Sequence, residues 1–485
     1  MSRVESRRQR WSPHVASSSL ALALRAEVEA NSRDRLLVAI TGPRGSGKSL
    51  LLADLAAVYR AAGVDTRRGD REIDLIDLPD RCAILVDDAH VLAEDALNRL
   101  HGFIDNPETH LAVAYRPWPQ PPALRLLVEA LEQQRPPVVL GALTPEEVAA
   151  YFSTALGRTV PASTVEAVTE LTGGMPWLLQ RTLGSVHEGA IRSSAVAPPA
   201  VVEELRHDLD RLEDDLRDFL LALAVGFDLA DPSLPSALTR APAEDLLAEA
   251  RAGGLILPGD VVIPLIAQAL LATAPSHKVR ALQRDLVEAR TAEGRSLDDV
   301  ARSLARSGMR HPGVARSLET MGEAALPTRP ELAGQLFDEA VAAGGDSLAM
   351  SARRAQAAVL TGHLERSGQL LEKLLEAEDP PDLARAVDVS AAVWAQRGML
   401  ARSADAYRWL GADRVGPSAP SAAVTMLATG DVPGARAMLA AAEPPSPTLH
   451  AAAMAALADG VRESVEGNPA RALAALVRAS DMKTS

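Results

Sequence analysis

The chain has 485 residues, more than one hydrophobic core can organise, and this length predicts about two to four domains. Aromatic residues make up only 3% of the sequence although 47% of it is hydrophobic, a balance that favours helices packed through small side chains. The formal net charge of −14 excludes a protein that coats nucleic acid through charge alone. A single cysteine, Cys82, excludes an intramolecular disulfide and any zinc cluster built on several cysteines.

No apolar run reaches the length of a membrane span, and the apolar stretch 17–24 meets Arg25 too early to predict a signal peptide. We therefore expect a cytoplasmic protein without membrane contact. The first 33 residues are expected to form an N-terminal arm and a first helix. Four arginines in the arm are compatible with a local basic patch or with a disordered tail: Arg3, Arg7, Arg8 and Arg10.

Residues 42–49 match the phosphate-loop pattern G-x-x-x-x-G-K-[ST] at every required position. The stretch 36–41 predicts a buried strand before the loop, and 50–55 predicts an apolar helix after it. In such a loop the backbone N–H groups and the helix N-terminus face phosphate oxygens, Lys48 reaches the β- and γ-phosphates, and the Ser49 hydroxyl binds Mg²⁺. The predicted nucleotide-binding residues are Gly42, Pro43, Arg44, Gly45, Ser46, Gly47, Lys48, Ser49 and Leu50.

Two carboxylates follow the apolar stretch 82–86. In a phosphate-loop fold this is the position of the Asp that holds Mg²⁺, so Asp87 is predicted to bind the metal and Asp88 to polarise the attacking water. The alternative is an ordinary helix cap after a strand.

Arg116 directly follows the predicted strand 110–115. The carboxyl ends of such strands line the crevice where ligands bind, so Arg116 is predicted to sense the γ-phosphate, the alternative being a solvated surface arginine. An edge or second strand is expected at 64–67, and 138–140 is expected to close the sheet. Residues 34–142 thus predict an α/β phosphate-loop core of about five parallel strands.

Residues 143–195 predict a small helical module. Thr144, Pro145 and Glu147 form a capping box at its start. Gly173, Gly174 and Pro176 then separate its second helix from its third.

The order of these motifs resembles the signal-transduction ATPases with numerous domains, the STAND class, and within it the ATPase module of large LuxR-type regulators related to MalT. The resemblance covers residues 34 to about 280 by motif and the rest by architecture. It implies an ATPase core, a helical lid, a winged helix and helical repeats, with ATP or ADP and Mg²⁺ as cofactors. It also implies roles for individual residues: catalytic Lys48, Asp87, Asp88 and Arg116, the Mg²⁺ ligands Ser49 and Asp87, and Pro176 near the adenine.

Residues 200–280 fit the winged helix, with helices at 215–225 and 246–252 and a hairpin formed by 254–257 and 261–263. Relatives often place a histidine before the Pro-Leu of this segment, where it touches the ADP β-phosphate. This chain has Ile263 there, which donates no hydrogen bond, so a weaker hold on ADP is expected. His277 lies farther along and is expected to be a surface residue.

From about residue 285 to 485 the pattern is helical and rich in alanine. Glycines at 362, 398, 430 and 467 each lie in a predicted turn between two helices, with spacings of 36, 32 and 37 residues. These spacings favour degenerate tetratricopeptide repeats over a non-repetitive bundle. A repeat surface implies an inducer or a protein as partner. No helix-turn-helix signature follows, so contact with DNA is expected only through a C-terminal domain absent from this chain.

The favoured hypothesis is an ATP-binding, slowly hydrolysing switch that associates with itself in a nucleotide-dependent way. A nucleotide-bound interaction scaffold without hydrolysis is the alternative. An initiator-type AAA ATPase acting on DNA is less favoured, because residues 200–250 are rich in Asp and Glu.

Overall fold

The computed structural model describes residues 18–69, 82–192, 196–228, 241–441 and 449–484. The chain divides into two units, Met1–Leu282 and Gln283–Ser485. The predicted N-terminal arm and its four arginines lie outside the described residues.

A five-stranded parallel sheet forms the centre of the first unit, with strand order β2-β3-β4-β1-β5. Every residue of β3 and β4 is buried, as expected of parallel strands that are covered on both faces. Cys82 is the first residue of β3 and is buried. The strands are β1 (Leu37–Thr41), β2 (Asp65–Gly69), β3 (Cys82–Val86), β4 (Thr109–Tyr115) and β5 (Val138–Val139).

Two pairs of helices cover the two faces of this sheet: α1 (Ser19–Ala30) with α2 (Lys48–Ala61), and α3 (Glu94–Gly102) with α4 (Pro122–Glu132). Side chains of β1 alternate between the faces, because successive residues of a strand point in opposite directions. Val38 and Ile40 pack with α1 and α2, whereas Leu37 and Ala39 pack with α3 and α4. The predicted α/β core is therefore confirmed.

Three helices follow the core: α5 (Pro145–Leu156), α6 (Ala162–Thr172) and α7 (Pro176–His187). The predicted capping box is present. Thr144 accepts a hydrogen bond from the N–H of Glu147, whose carboxylate accepts one from the N–H of Thr144. The same carboxylate accepts a bond of 2.6 Å from the N–H of Ser19, and thereby attaches α1 to this module.

The next elements form the winged helix, with β6 and β7 as a two-stranded antiparallel hairpin. Its members are α8 (Pro199–Leu209), α9 (Asp214–Val225), α10 (Ala243–Ala252), β6 (Ile256–Leu257), β7 (Val261–Val262) and α11 (Pro264–Thr273).

The turn after α10 packs directly on the loop between β1 and α2. The N–H of Arg44 donates a hydrogen bond of 2.7 Å to the carbonyl of Ala252. Gly254, at φ +64°, lies so close that a Cβ atom on it would be 2.8 Å from the Arg44 carbonyl oxygen and 2.9 Å from Cε of Met175. The main chain of the winged helix therefore contacts the main chain of the phosphate loop.

We predict that Gly254→Ala weakens this contact, because the added methyl group overlaps the loop carbonyl. Gly259→Ala is the matched control, since Gly259 also has a positive φ, +88°, but has open space around its Cβ position. Both variants carry the left-handed strain of about 1–2 kcal/mol, and Gly254→Ala adds an overpacking cost of about 1–3 kcal/mol. Chemical denaturation and hydrogen exchange at the Arg44 amide measure the difference, and equal losses in the two variants would contradict the contact.

In the second unit the described residues fold into helices. The division between the units falls within α12 (Ser276–Ala292). The following helices are α13 (Asp298–Arg306), α14 (Pro312–Ala325), α15 (Pro330–Ala342), α16 (Ser351–Leu360), α17 (Leu364–Leu375), α18 (Leu383–Gln396), α19 (Leu400–Leu410), α20 (Ala412–Val415), α21 (Ala419–Ala428), α22 (Val432–Ala441), α23 (Leu449–Val465) and α24 (Pro469–Thr484).

Helices α16 to α19 and α21 to α24 form pairs joined by short turns, and each turn contains one of the four predicted glycines. Gly362, Gly398, Gly430 and Gly467 have φ values of +80°, +78°, +84° and +84°. This left-handed conformation ends the first helix of each pair. Glycine adopts it without a steric clash because it has no Cβ atom. The prediction of helical repeats is confirmed.

Carboxylates shared between arginines connect successive helices of this unit. Glu323 of α14 pairs with Arg353 of α16 at 2.5 Å and with Arg385 of α18 at 2.8 Å. Asp338 of α15 pairs likewise with Arg354 of α16 at 2.7 Å and with an arginine of α17. Such networks hold helices in register better than isolated surface ion pairs do.

The contact between α14 and α15 depends on a small residue. A Cβ atom on Gly322 would lie 2.5 Å from the ring of Phe337, whereas one on Gly334 would lie at an ordinary 3.6 Å from Ala357. We expect Gly322→Ala to destabilise the fold by about 1–3 kcal/mol through overpacking. Gly334→Ala should instead stabilise it by about 0.5–1 kcal/mol, because alanine favours the helix. Denaturant midpoints test both values, and the prediction is wrong if the two variants shift in the same direction.

Among the described helices, none is both long and apolar enough to cross a membrane.

Candidate functional site

A cavity of about 680 Å³ opens where the loop after β1 meets the carboxyl ends of β3 and β4 and the start of α7. The strand order causes this meeting, because β1, β4 and β3 are neighbours and their carboxyl ends share one edge of the sheet. The cavity is lined by Arg44, Gly45, Gly47, Lys48, Ser49, Leu50, Ala53, Arg68, Asp88, Arg116, Tyr151, Pro176, Trp177 and Gln180.

Lys48 is anchored by the loop itself. Its ammonium donates hydrogen bonds of 2.7 Å to the carbonyls of Gly42 and Pro43. An ammonium has three N–H donors, so one is left for a ligand oxygen. The pKa of Lys48 is lowered to about 8, mainly by burial and also by the charge of Arg116, while the carboxylates of Asp88 and Asp87 oppose the shift. A bound anion would stabilise the charged form, so the group is suited to phosphate.

The two residues predicted to bind Mg²⁺, Ser49 and Asp87, both contact Arg68. The guanidinium of Arg68, in β2, donates 3.1 Å to the carbonyl of Ser49 and lies 3.8 Å from the carboxylate of Asp87. At Ser49 this contact is made to the main chain, so it leaves the hydroxyl available. Hydroxyl and carboxylate oxygens are the donors that Mg²⁺ prefers, so the residues fit the metal. No cluster of three or more His, Cys, Asp or Glu side chains suited to a metal is found among the described residues.

Asp88 lies at the centre of a second group of charges. Its backbone is left-handed, at φ +46° and ψ +42°, which is strained for a residue other than glycine. One of its carboxylate oxygens, Oδ1, is 3.7 Å from Nε of Arg116 and 3.9 Å from Nδ1 of His90. Burial lowers the pKa of His90 and Arg116 lowers it further, so the imidazole is neutral at neutral pH.

Trp177, in the first turn of α7, packs against the phosphate loop. A Cβ atom on Gly45 would lie 2.5 Å from the indole, so only glycine permits this approach. Trp177, Arg44 and Gly45 also line a second cavity of about 290 Å³, which the ion pair of Arg181 and Asp208 borders.

The structure brings most of the predicted site residues to one cavity. Three predicted loop residues do not line the cavity: Gly42, Pro43 and Ser46. The carbonyls of Gly42 and Pro43 accept hydrogen bonds from Lys48, and Ser46 is 5% exposed. Asp87 is 7% exposed and accepts a hydrogen bond from the N–H of Asp88; it does not line the cavity as Asp88 does.

The segment that replaces the expected histidine lies away from the cavity. Ile263 is fully buried, and its N–H donates to the carbonyl of Leu255 at 3.1 Å. His277 is exposed, as expected of a surface residue.

Five residues that line the cavity were not predicted from the sequence: Ala53, Arg68, Tyr151, Trp177 and Gln180. His90, which lies beside Asp88, was not predicted either. His90 lies two residues after the acidic pair and Trp177 directly follows Pro176. Both residues could have been predicted to lie near the site because they are close in sequence to predicted site residues. Arg68 lies on an edge strand without an apolar pattern, and Tyr151 resembles any other core position of α5.

No protein-family model matches the chain, and no curated protein matches it. Among solved structures, a STAND protein with a tetratricopeptide repeat sensor from Pyrococcus horikoshii aligns with 95% of this chain and 76% of its own, at 13% identity and a TM-score of 0.25. The ORC2 protein of Aeropyrum pernix covers 56% and 93%, at 14% identity and a TM-score of 0.31. The Thermotoga maritima RuvB Holliday junction branch migration motor covers 41% and 72%, at 16% identity and a TM-score of 0.28.

The first of these proteins is of the class that the sequence motifs resemble. Similarities with TM-scores this low support no inference about function. The features that bear on the function of this chain are its own sheet order, its phosphate loop and the side chains around its cavity.

Proposed function

We propose that this chain is a regulatory ATPase, a switch that binds ATP or ADP with Mg²⁺ and hydrolyses ATP slowly. The observation that carries the proposal is the anchored ammonium of Lys48, held by two loop carbonyls at the floor of a 680 Å³ cavity. Asp88 and Arg116 line the same cavity and supply the opposite charges that phosphoryl transfer requires.

Each residue has a role that follows from its position. The free N–H of Lys48 and the N–H groups at the start of α2 would bind phosphate oxygens, since the first turn of a helix has no acceptors of its own for them. Ser49 and Asp87 would hold Mg²⁺, which when bound would neutralise charge on the phosphates. Asp88 would orient the attacking water, and Arg116 would stabilise charge on the terminal phosphate.

The contacts of the winged helix support a switch rather than a fast enzyme. Ala252 and Gly254 touch the same loop that would bind phosphate. A change in the loop on nucleotide binding is therefore coupled to the position of the winged helix. The ligand can shift this equilibrium only by its difference in affinity for the two positions.

The finer part of the proposal is that the switch belongs to a LuxR-type transcriptional regulator. The motif order and the helical repeats support it. The repeats would bind an inducer or a protein partner. A cavity of about 270 Å³ between α15, α16 and α17, bordered by Asp338, Arg354 and Arg366, is the candidate site. In this proposal the chain associates with itself in a nucleotide-dependent way and reaches DNA through a domain outside residues 1–485.

Lys48→Ala tests the proposal. We expect the dissociation constant for ATP to rise by about tenfold to a hundredfold or more, because a charge-assisted hydrogen bond of about 1.5–3 kcal/mol is lost. Lys373→Ala, at an exposed position of α17, is the matched control and should bind like the wild type. Titration with a fluorescent ATP analogue measures affinity, and light scattering follows self-association. Unchanged ATP affinity in Lys48→Ala would refute the nucleotide site.

Asp88→Asn separates binding from hydrolysis. The substitution keeps the size of the side chain but removes its charge, so ATP affinity should stay close to that of the wild type. Phosphate release should fall by about a hundredfold or more, as for loss of a general base. A variant that hydrolyses at the wild-type rate would exclude Asp88 from the reaction and favour a nucleotide-bound scaffold.

A further inference from the structure

Two buried nitrogen atoms beside Asp88 have no hydrogen-bond partner within the described ranges: Nδ1 of His90 and Nε of Arg116. The side chain of His90 is only 3% exposed. Buried polar atoms are nearly always paired, and leaving one unpaired costs about 1–3 kcal/mol. An arrangement with two of them at one carboxylate therefore requires a physical explanation.

The geometry supplies one, because both atoms face the same oxygen. Oδ1 of Asp88 lies 3.9 Å from Nδ1 of His90 and 3.7 Å from Nε of Arg116. Each distance exceeds a hydrogen bond by roughly 1 Å. Functional hydrogen bonds are often this long before a substrate is bound and shorten in the complex. A movement of the Asp88 carboxylate by roughly 1 Å would bring its oxygen within hydrogen-bond distance of these atoms.

The backbone favours such a movement. Asp88 is left-handed, with its N–H bonded to the carboxylate of Asp87. His90 lies in a short 3-10 turn, Ala89–Val91, whose Val91 N–H bonds to the Asp88 carbonyl. The main chain on both sides of the Asp88 side chain is thus fixed, while the carboxylate, 40% exposed, is the part free to turn.

We propose that His90 is a positioning residue for hydrolysis: its Nδ1–H donates to Oδ1 of Asp88 and, together with Arg116, fixes the carboxylate so that Oδ2 faces the attacking water. The proposal deepens the function proposed above and rests on it. His90 touches neither phosphate nor water and acts only through Asp88. The imidazole is neutral, with its proton on Nδ1, and it loses no proton in the step.

The role requires a donor at the place of Nδ1 and nowhere else. Asparagine puts its amide nitrogen close to the position of Nδ1, whereas glutamine puts it close to the position of Nε2. Both residues are neutral, polar amides that fit a histidine site. The pair His90→Asn and His90→Gln therefore distinguishes a directed hydrogen bond from a general need for a polar or bulky side chain.

The experiment measures ATP-dependent phosphate release by the full chain with Mg²⁺, together with affinity for a fluorescent ATP analogue. We expect His90→Gln to lower kcat on the order of tenfold to a hundredfold, as for other residues that orient a functional group, with KM and ATP affinity unchanged. His90→Asn should keep most of kcat. His101→Asn and His101→Gln, at an exposed position of α3, are the matched controls and should behave like the wild type.

A double variant completes the test. Because His90 works through Asp88, His90→Gln combined with Asp88→Asn should be no slower than Asp88→Asn alone. Independent, multiplying losses would overturn the proposal, as would equal rates in the Asn and Gln variants or a loss confined to ATP affinity. Thermal unfolding of each variant identifies losses of rate that come from misfolding. If His90→Gln is folded but slow and His90→Asn keeps most of the wild-type rate, the hydrogen bond from the position of Nδ1 is required.

The positioning role and the ATPase function fail in different ways. A wild-type chain that binds ATP but releases no phosphate overturns the role of His90 together with hydrolysis, while leaving the nucleotide site intact. A wild-type chain that binds no ATP overturns the proposed function itself. Wild-type hydrolysis that His90→Gln leaves unchanged overturns the positioning role alone.

Discussion

The phosphate loop is arranged around one buried charge. Lys48 is 5% exposed, and burying an ammonium is costly unless its donors are satisfied. Two carbonyls of its own loop, from Gly42 and Pro43, satisfy two of them. The loop can turn its carbonyls inward in this way only because its conformation is accessible to glycine, as at Gly45, where φ is +75° and the Trp177 indole leaves no room for a side chain. The N–H groups in the first turn of α2 have no acceptors within the helix. The loop that holds the cation therefore also offers donors to an anion.

Much of this could be read from the sequence, because it depends on short-range rules. The loop motif fixes both the strand before it and the helix after it. The apolar stretches that end in Asp87 and Arg116 identify two strands buried on both faces. Parallel strands bring their carboxyl ends to one edge, so the meeting of Lys48, Asp88 and Arg116 follows without knowledge of the packing. The repeat turns were predictable for the same reason, since one glycine per turn marks each helix end.

The remaining features depend on distances that the sequence does not encode. Arg68 reaches Ser49 and Asp87 only because β2 pairs with β3 in one particular register, Arg68 beside Leu85. Asp87 and Asp88 are adjacent in sequence, yet only Asp88 lines the cavity, because the left-handed backbone at Asp88 separates the directions of the two side chains. The sequence indicated that His90 lies near the acidic pair but not that it is buried, because its burial depends on how the turn Ala89–Val91 packs against the core. In each case the local sequence pattern is compatible with more than one arrangement, and a tertiary contact determines which one forms.

The replacement of the expected histidine by Ile263 changes how the winged helix can be held. A histidine that binds the ADP β-phosphate would connect the winged helix to the ATPase core through the nucleotide. That connection would exist only while the nucleotide is bound. The hydrogen bond from the Arg44 N–H to the Ala252 carbonyl joins two protein groups and contains no nucleotide atom. Gly254 makes this approach possible, since a Cβ atom there would overlap the Arg44 carbonyl, and Ile263 meanwhile serves the hydrophobic core. The winged helix of this chain is therefore held against the phosphate loop by main-chain contacts. A nucleotide that changes the conformation of that loop would move the winged helix with it.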